Sequence, residues 1–124
     1  MSARGALSAQ IEMDPPLCAD WQVLTFGDTA SGRVSLLLII PLSYRSRATI
    51  AIPASAAPNA SIKLVLGMRN SSLAWRANGE KGSATIWLGP NGHESGFFTG
   101  ELVGEAGSGS VTVNGAWQCG PILG

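Results

Sequence analysis

Short apolar-alternating runs separated by glycine or proline dominate this chain. In 110–119, Val111, Val113, Trp117 and Cys119 share one parity, while Ser110, Thr112, Asn114 and Gln118 take the other. That alternation is the pattern of a strand half-buried in an antiparallel sheet. The same punctuation, every eight to twelve residues, predicts strands over 19–26, 33–41, 47–53, 61–67, 72–77, 83–88, 96–103 and 110–118. No window sustains a 3.6-residue apolar period over three turns. The alanine-rich stretch Pro53–Ala60 is interrupted by Pro58 and reads as a loop. The expected fold is therefore all-β, an antiparallel β-sandwich of about eight strands, with a flattened β-barrel as the alternative. Residues 1–17 read as an extended N-terminal lead-in, because Pro15 and Pro16 forbid a helix there, and residues 18–124 read as a single domain.

Two runs depart from simple alternation. From Val34 to Leu42 both parities are apolar, with Leu36, Leu38 and Ile40 on one side and Leu37 and Ile39 on the other. Such a strand is either central and covered on both faces or presents one face to another chain. In the segment 83–103, a turn near Asn91-Gly92 makes a hairpin whose register, if symmetric about Gly92, sets Trp87 opposite Phe97, Thr85 opposite Thr99 and Ser83 opposite Glu101. Ile86 then faces Phe98 on the inner side. This arrangement predicts a polar outer face that carries one aromatic pair, and makes Trp87, Phe97, Thr85, Thr99 and Glu101 the candidate ligand-binding residues. Trp75 and Trp117 fall on inward parities and are expected in the core.

Cys18 and Cys119 are the only cysteines. Cys18 shares parity with Leu24 and Phe26, and Cys119 with Val111, Val113 and Trp117. Both thiols are thus expected to point inward, as a buried bond between the first and last strands requires. Such a disulfide implies an oxidising compartment, extracellular or cell envelope; two free thiols in a cytosolic protein are the alternative. Met1–Leu17 lacks the apolar central run of a secretory leader, so the expected form is an exported protein whose leader has been removed.

Composition sharpens the class. Charged residues make up 13% of the chain, well below the roughly 25% of a typical soluble domain, and glycine is abundant, with 16 residues. Eight basic and eight acidic residues balance, with no basic run. Nucleic-acid binding, which needs a concentrated positive face, is not expected, and the longest apolar run is too short for a membrane span. The single histidine, His93, falls in the Gly89–Glu94 turn region and reads as a loop residue. No nucleophile–histidine–acid constellation is assigned, so no catalytic residues are expected. Glu12, Asp14 and Asp20 straddle the proline pair without the spacing of a calcium loop; neither a metal nor any other cofactor is expected. The sequons at Asn59 and Asn70 read as chance occurrences.

The C-terminal stretch Ser95-Gly96-Phe97-Phe98-Thr99-Gly100-Glu101-Leu102, a Gly/Ser loop, and Val111-Thr112-Val113-Asn114-Gly115-Ala116-Trp117-Gln118-Cys119 resembles the closing hairpin of small exported bacterial lipoproteins of the mycobacterial cell-wall antigen type. In those proteins the last strand carries a cysteine that pairs with an earlier one. The resemblance implies a bacterial exported β protein and no activity. The lipid-attachment cysteine of that family has no counterpart in this sequence. Two functions are therefore expected: a non-enzymatic exported or cell-surface protein that binds a glycan or a protein through the Trp87/Phe97 face, or a structural subunit of an envelope or filament assembly. The second would use strand 34–42 and the N-terminal segment for contacts in a homo-oligomer.

Overall fold

The computed structural model describes residues 1–19, 22–41, 48–52, 60–68, 71–90, 92–105 and 107–119. Eleven strands follow one another without a helix among the described residues: β1 (Ser2–Gly5), β2 (Ala9–Gln10), β3 (Leu17–Ala19), β4 (Gln22–Thr29), β5 (Gly32–Ile39), β6 (Thr49–Ile52), β7 (Ser61–Met68), β8 (Ser71–Ala77), β9 (Ser83–Gly89), β10 (Gly92–Gly104) and β11 (Ser110–Gln118). The eight expected strands are all present; β1 and β2 are added by the segment read as a lead-in, and β3 begins at its last residue, Leu17. All are antiparallel, as expected.

Hydrogen bonding joins the strands into one sheet, in the order β2-β1-β11-β10-β8-β7-β5-β4-β3, with β6 and β9 branching from β10. It curls into a half-barrel rather than dividing cleanly into the two layers of a sandwich. β10 makes this possible by its length. Residues 96–101 pair with β9, whereas Val103 and Gly104 pair with Arg76 and Trp75 of β8. One strand thus borders two branches, and the inner faces of both enclose a common core. Val34, Leu36, Leu38 and Ile40, Ile62, Leu64 and Leu66, and Ile86, Leu102, Val111 and Val113 are all buried. Removing their apolar surface from water is the main stabilising term.

The N-terminal segment closes much of the remaining opening. β1 pairs with β11, β2 folds back on β1, and Ala3, Leu7 and Ile11 enter the core. The chain then crosses to β4. Met13 bridges Gly27, the Asp14 amide donates to the Phe26 carbonyl (2.7 Å), and the buried Thr25 hydroxyl donates to the Asp14 carbonyl (2.7 Å). Arg33 holds Asp14 and Asp28 together at 3.2 and 3.0 Å; its pKa is raised, first by the hydrogen bond to Asp28. Gly27 is where this segment lies closest: a Cβ there would sit 2.6 Å from Ile11 Cγ2 and 2.8 Å from Met13 Sδ. Gly27→Ala should therefore cost about 1–3 kcal/mol through overpacking. Hydrogen exchange should show the loss first at the Ile11 and Asp14 amides, and protection there equal to the parent would contradict this close fit.

The inward assignment of the first expected strand is corrected. Val23 and Thr25 of β4 are buried, while Leu24 and Phe26 are half-buried on the outer face. The reason is that Leu17–Ala19 and Gln22–Thr29 are two separate strands paired antiparallel, so that Cys18 lies opposite Val23, and parity does not carry from one strand to the next. Cys18 and Cys119 are bonded, with Cα atoms 6.0 Å apart, but the bond is not buried as expected. Cys18 is exposed on the edge strand β3, whereas Cys119 packs against the core. The doubly apolar strand is central, between β4 and β7, with Leu37 and Ile39 half-buried on its outer side.

Candidate functional site

The hairpin of β9 and β10 has the expected register. Trp87 faces Phe97, Thr85 faces Thr99, Ser83 faces Glu101 and, inward, Ile86 faces Phe98. The turn itself differs. Gly89 pairs with Gly92, and a bulge between Gly92 and Gly96 absorbs the extra residues. That bulge directs the chain toward β11: the Glu94 carbonyl accepts from the Cys119 amide (2.7 Å), and Ser95 lies opposite Gln118. The backbone of His93, expected in the turn region, belongs to β10.

On the outer face the Trp87 and Phe97 rings stack, with centroids 4.8 Å apart and planes 20° from parallel. Such cross-strand pairs contribute about 0.2–1 kcal/mol to the sheet. Phe97 is nevertheless 54% exposed, which is unusual for a large apolar side chain. The neighbouring strands extend this surface in rows. Thr49, Trp87, Phe97 and Ala116 form one; Ala51, Thr85, Thr99, Asn114, Ser2 and Gln10 form the next; Ser83, Glu101, Thr112 and Arg4 form the third. At the usual spacing of about 4.8 Å between strands, the middle row crosses roughly 24 Å of surface. It carries hydroxyl and amide groups at regular intervals, with Thr85 and Thr99 half-buried and Asn114 exposed. Charge enters only in the third row, where Thr112 separates Glu101 from Arg4.

All five candidate residues therefore come together on one surface. Sequence reasoning within the hairpin did not find Thr49, Asn114, Thr112, Ser2 and Arg4, because their place beside it depends on β6, β11 and β1 pairing from elsewhere in the chain. Their outward parity was the only available signal.

Beneath this surface, Phe98 and Trp117 meet at 6.5 Å in a tilted pair, and Trp117 is buried as expected. Trp75 is buried too, with its indole nitrogen donating to the Ser108 carbonyl (3.1 Å). Among the described residues no three His, Cys, Asp or Glu side chains converge as a metal site. Of the acidic trio, Asp14 is engaged by Arg33, and Asp20 lies outside the described residues, as does Trp21. No described helix is long and apolar enough to cross a membrane. No protein-family model, curated protein or solved structure matches the chain.

Proposed function

We propose that this chain is a non-enzymatic binding protein of the cell exterior or envelope, and that the β9–β10 platform takes a glycan. The observation that carries the reading is the stacked Trp87–Phe97 pair, with Phe97 more than half exposed beside rows of hydroxyl and amide groups. A sugar ring has an apolar C–H face and an equatorial rim of hydroxyls. The C–H face matches an exposed aromatic surface, and the rim matches Thr85, Thr99 and Asn114, with Glu101 as an ionised acceptor at the border. The Cys18–Cys119 bond fits an oxidising compartment, and the likeness of the closing hairpin to exported lipoproteins points the same way.

Glycan arrays test this directly. The parent should retain a defined set of saccharides, and the double variant Trp87→Ala, Phe97→Ala should lose at least tenfold in apparent affinity while remaining folded. Binding unchanged in that variant would overturn the assignment of this face. If only a protein partner is captured, and capture depends on the same two residues, the face stands but its ligand class changes.

A second reading, as a subunit of an envelope or filament assembly, draws on a different observation. Leu17 is 64% exposed on edge strand β3, opposite the half-buried Leu24. Light scattering after size exclusion separates the two readings: an assembly subunit self-associates as its concentration rises, whereas a strict monomer at high concentration excludes that role.

A further inference from the structure

The outer face of β5, β7 and β8 carries a groove of about 300 Å³, away from the aromatic platform, lined by Leu37, Ile39, Ser61, Lys63, Arg76 and Asn78. Its chemistry is unusual for the exposed side of a sheet. Along one row Leu37 lies opposite Lys63, and Lys63 lies directly opposite Arg76. Like charges facing each other across neighbouring strands destabilise a sheet. Only one acid relieves them among the described residues: Glu105 holds one end of the Arg76 guanidinium at 3.3 Å. The Arg76 Nε atom is buried and has no hydrogen-bond partner among the described residues. Unpaired buried donors are costly, and here the donor belongs to a cation. Alongside these groups, Leu37 and Ile39 place apolar surface where strand alternation calls for polar residues.

An excess of positive charge beside an aliphatic wall describes a receptor for an amphipathic anion. We propose that this groove binds a medium-chain alkyl carboxylate, a free fatty acid in chemical class. Its carboxylate lies between Lys63 and Arg76, and its chain runs along Leu37 and Ile39. A carboxylate offers enough acceptor sites to meet the lysine ammonium and the guanidinium together, and a charge-assisted bond is roughly twice as strong as a neutral one. The aliphatic tail covers the two side chains that the sheet leaves half-exposed. This site is independent of the glycan platform, so each can fail without the other.

Calorimetric titration of the intact, oxidised protein tests the site, using hexanoate, octanoate, octanol, octyl phosphate and octyltrimethylammonium as probes. Octanoate should bind, and about fifteenfold more tightly than hexanoate, because two more methylenes are buried. Octanol and the ammonium probe should bind at least tenfold more weakly than octanoate. Lys63→Ala and Arg76→Gln should each weaken octanoate at least tenfold, and Leu37→Ser should remove most of the chain-length dependence. Amide shifts on adding octanoate should centre on Leu37, Ile39, Lys63 and Arg76, and should spare Trp87 and Phe97. Because Arg76→Gln also releases Glu105, Lys63→Ala is the decisive variant if the former unfolds. Equal affinity for octanol and octanoate, no chain-length dependence, an unaffected Lys63→Ala variant, or no octanoate binding at millimolar concentration would each overturn the proposal. Binding of octyl phosphate with no binding of octanoate would also overturn it, in favour of a phosphorylated lipid.

Discussion

Replacing both Cys18 and Cys119 by serine lowers the unfolding free energy by about 4–5 kcal/mol. This is the value the chain-entropy account gives for a crosslink whose sequence separation is 101. A domain of this size has a total stability of roughly 5–15 kcal/mol, so the loss removes about a quarter or more of it. The tertiary position of the bond adds to the expectation. It joins edge strand β3 to the residue that follows β11, across the opening left by the curled sheet. Urea denaturation measures the effect: the midpoint falls, and the slope rises modestly because the uncrosslinked unfolded chain exposes more surface. A loss below about 1 kcal/mol would mean that residual structure in the reduced, unfolded chain offsets the entropic gain. Since Cys18 is exposed, dithiothreitol should reduce the bond in the folded protein without denaturant. Reduction that occurs only together with loss of the near-ultraviolet signal would contradict an accessible bond.

The second large effect is expected at Trp75. This side chain heads the fully buried ones in volume, lies 1% exposed, and stands where β8 is bordered by both β7 and β10, opposite Leu64 and Gly104. Trp75→Ala should cost about 3–5 kcal/mol, from lost apolar burial and the cavity left behind. Trp75→Phe separates the contributions. It keeps most of the apolar contact but loses the bond from the indole nitrogen to the Ser108 carbonyl, so a cost of about 1–2 kcal/mol is expected. Equal losses for the two variants would show that the indole holds the 104–109 turn more than it fills the core.

Most of the strands, and the candidate site within the hairpin, were legible in the sequence. Strand alternation and a short turn are local, so residues 83–103 already specify that Trp87 faces Phe97 and Thr85 faces Thr99. The bulge at residues 93–95 left this register intact because it shifted the turn without shifting the pairs beyond it. The outward face of Leu24 was not legible, because Cys18 and Leu24 belong to two separate antiparallel strands, and parity does not carry from one to the other. Nor was the meeting of Lys63 with Arg76. Each is an ordinary outward charge on its own strand, and their opposition appears only once β7 and β8 are in register.

By itself the sequence determined an all-β chain, the approximate strand spans, the cysteine pair and the aromatic hairpin. The chain class, the strand spans and the hairpin follow from a period of two or a turn residue and need no distant segments to meet, whereas the cysteine pair rests on a count alone and its bond joins segments 101 residues apart. Tertiary structure alone decided that the sheet is continuous and curled, that β10 serves two branches, and that residues 1–19 help to close it. It also decided that the disulfide lies at an edge and that two cations share a groove with Leu37 and Ile39. The physical reason is that pairing order depends on which distant strands bury each other's inner faces. Alternation records that each strand has such a face, but not which partner covers it.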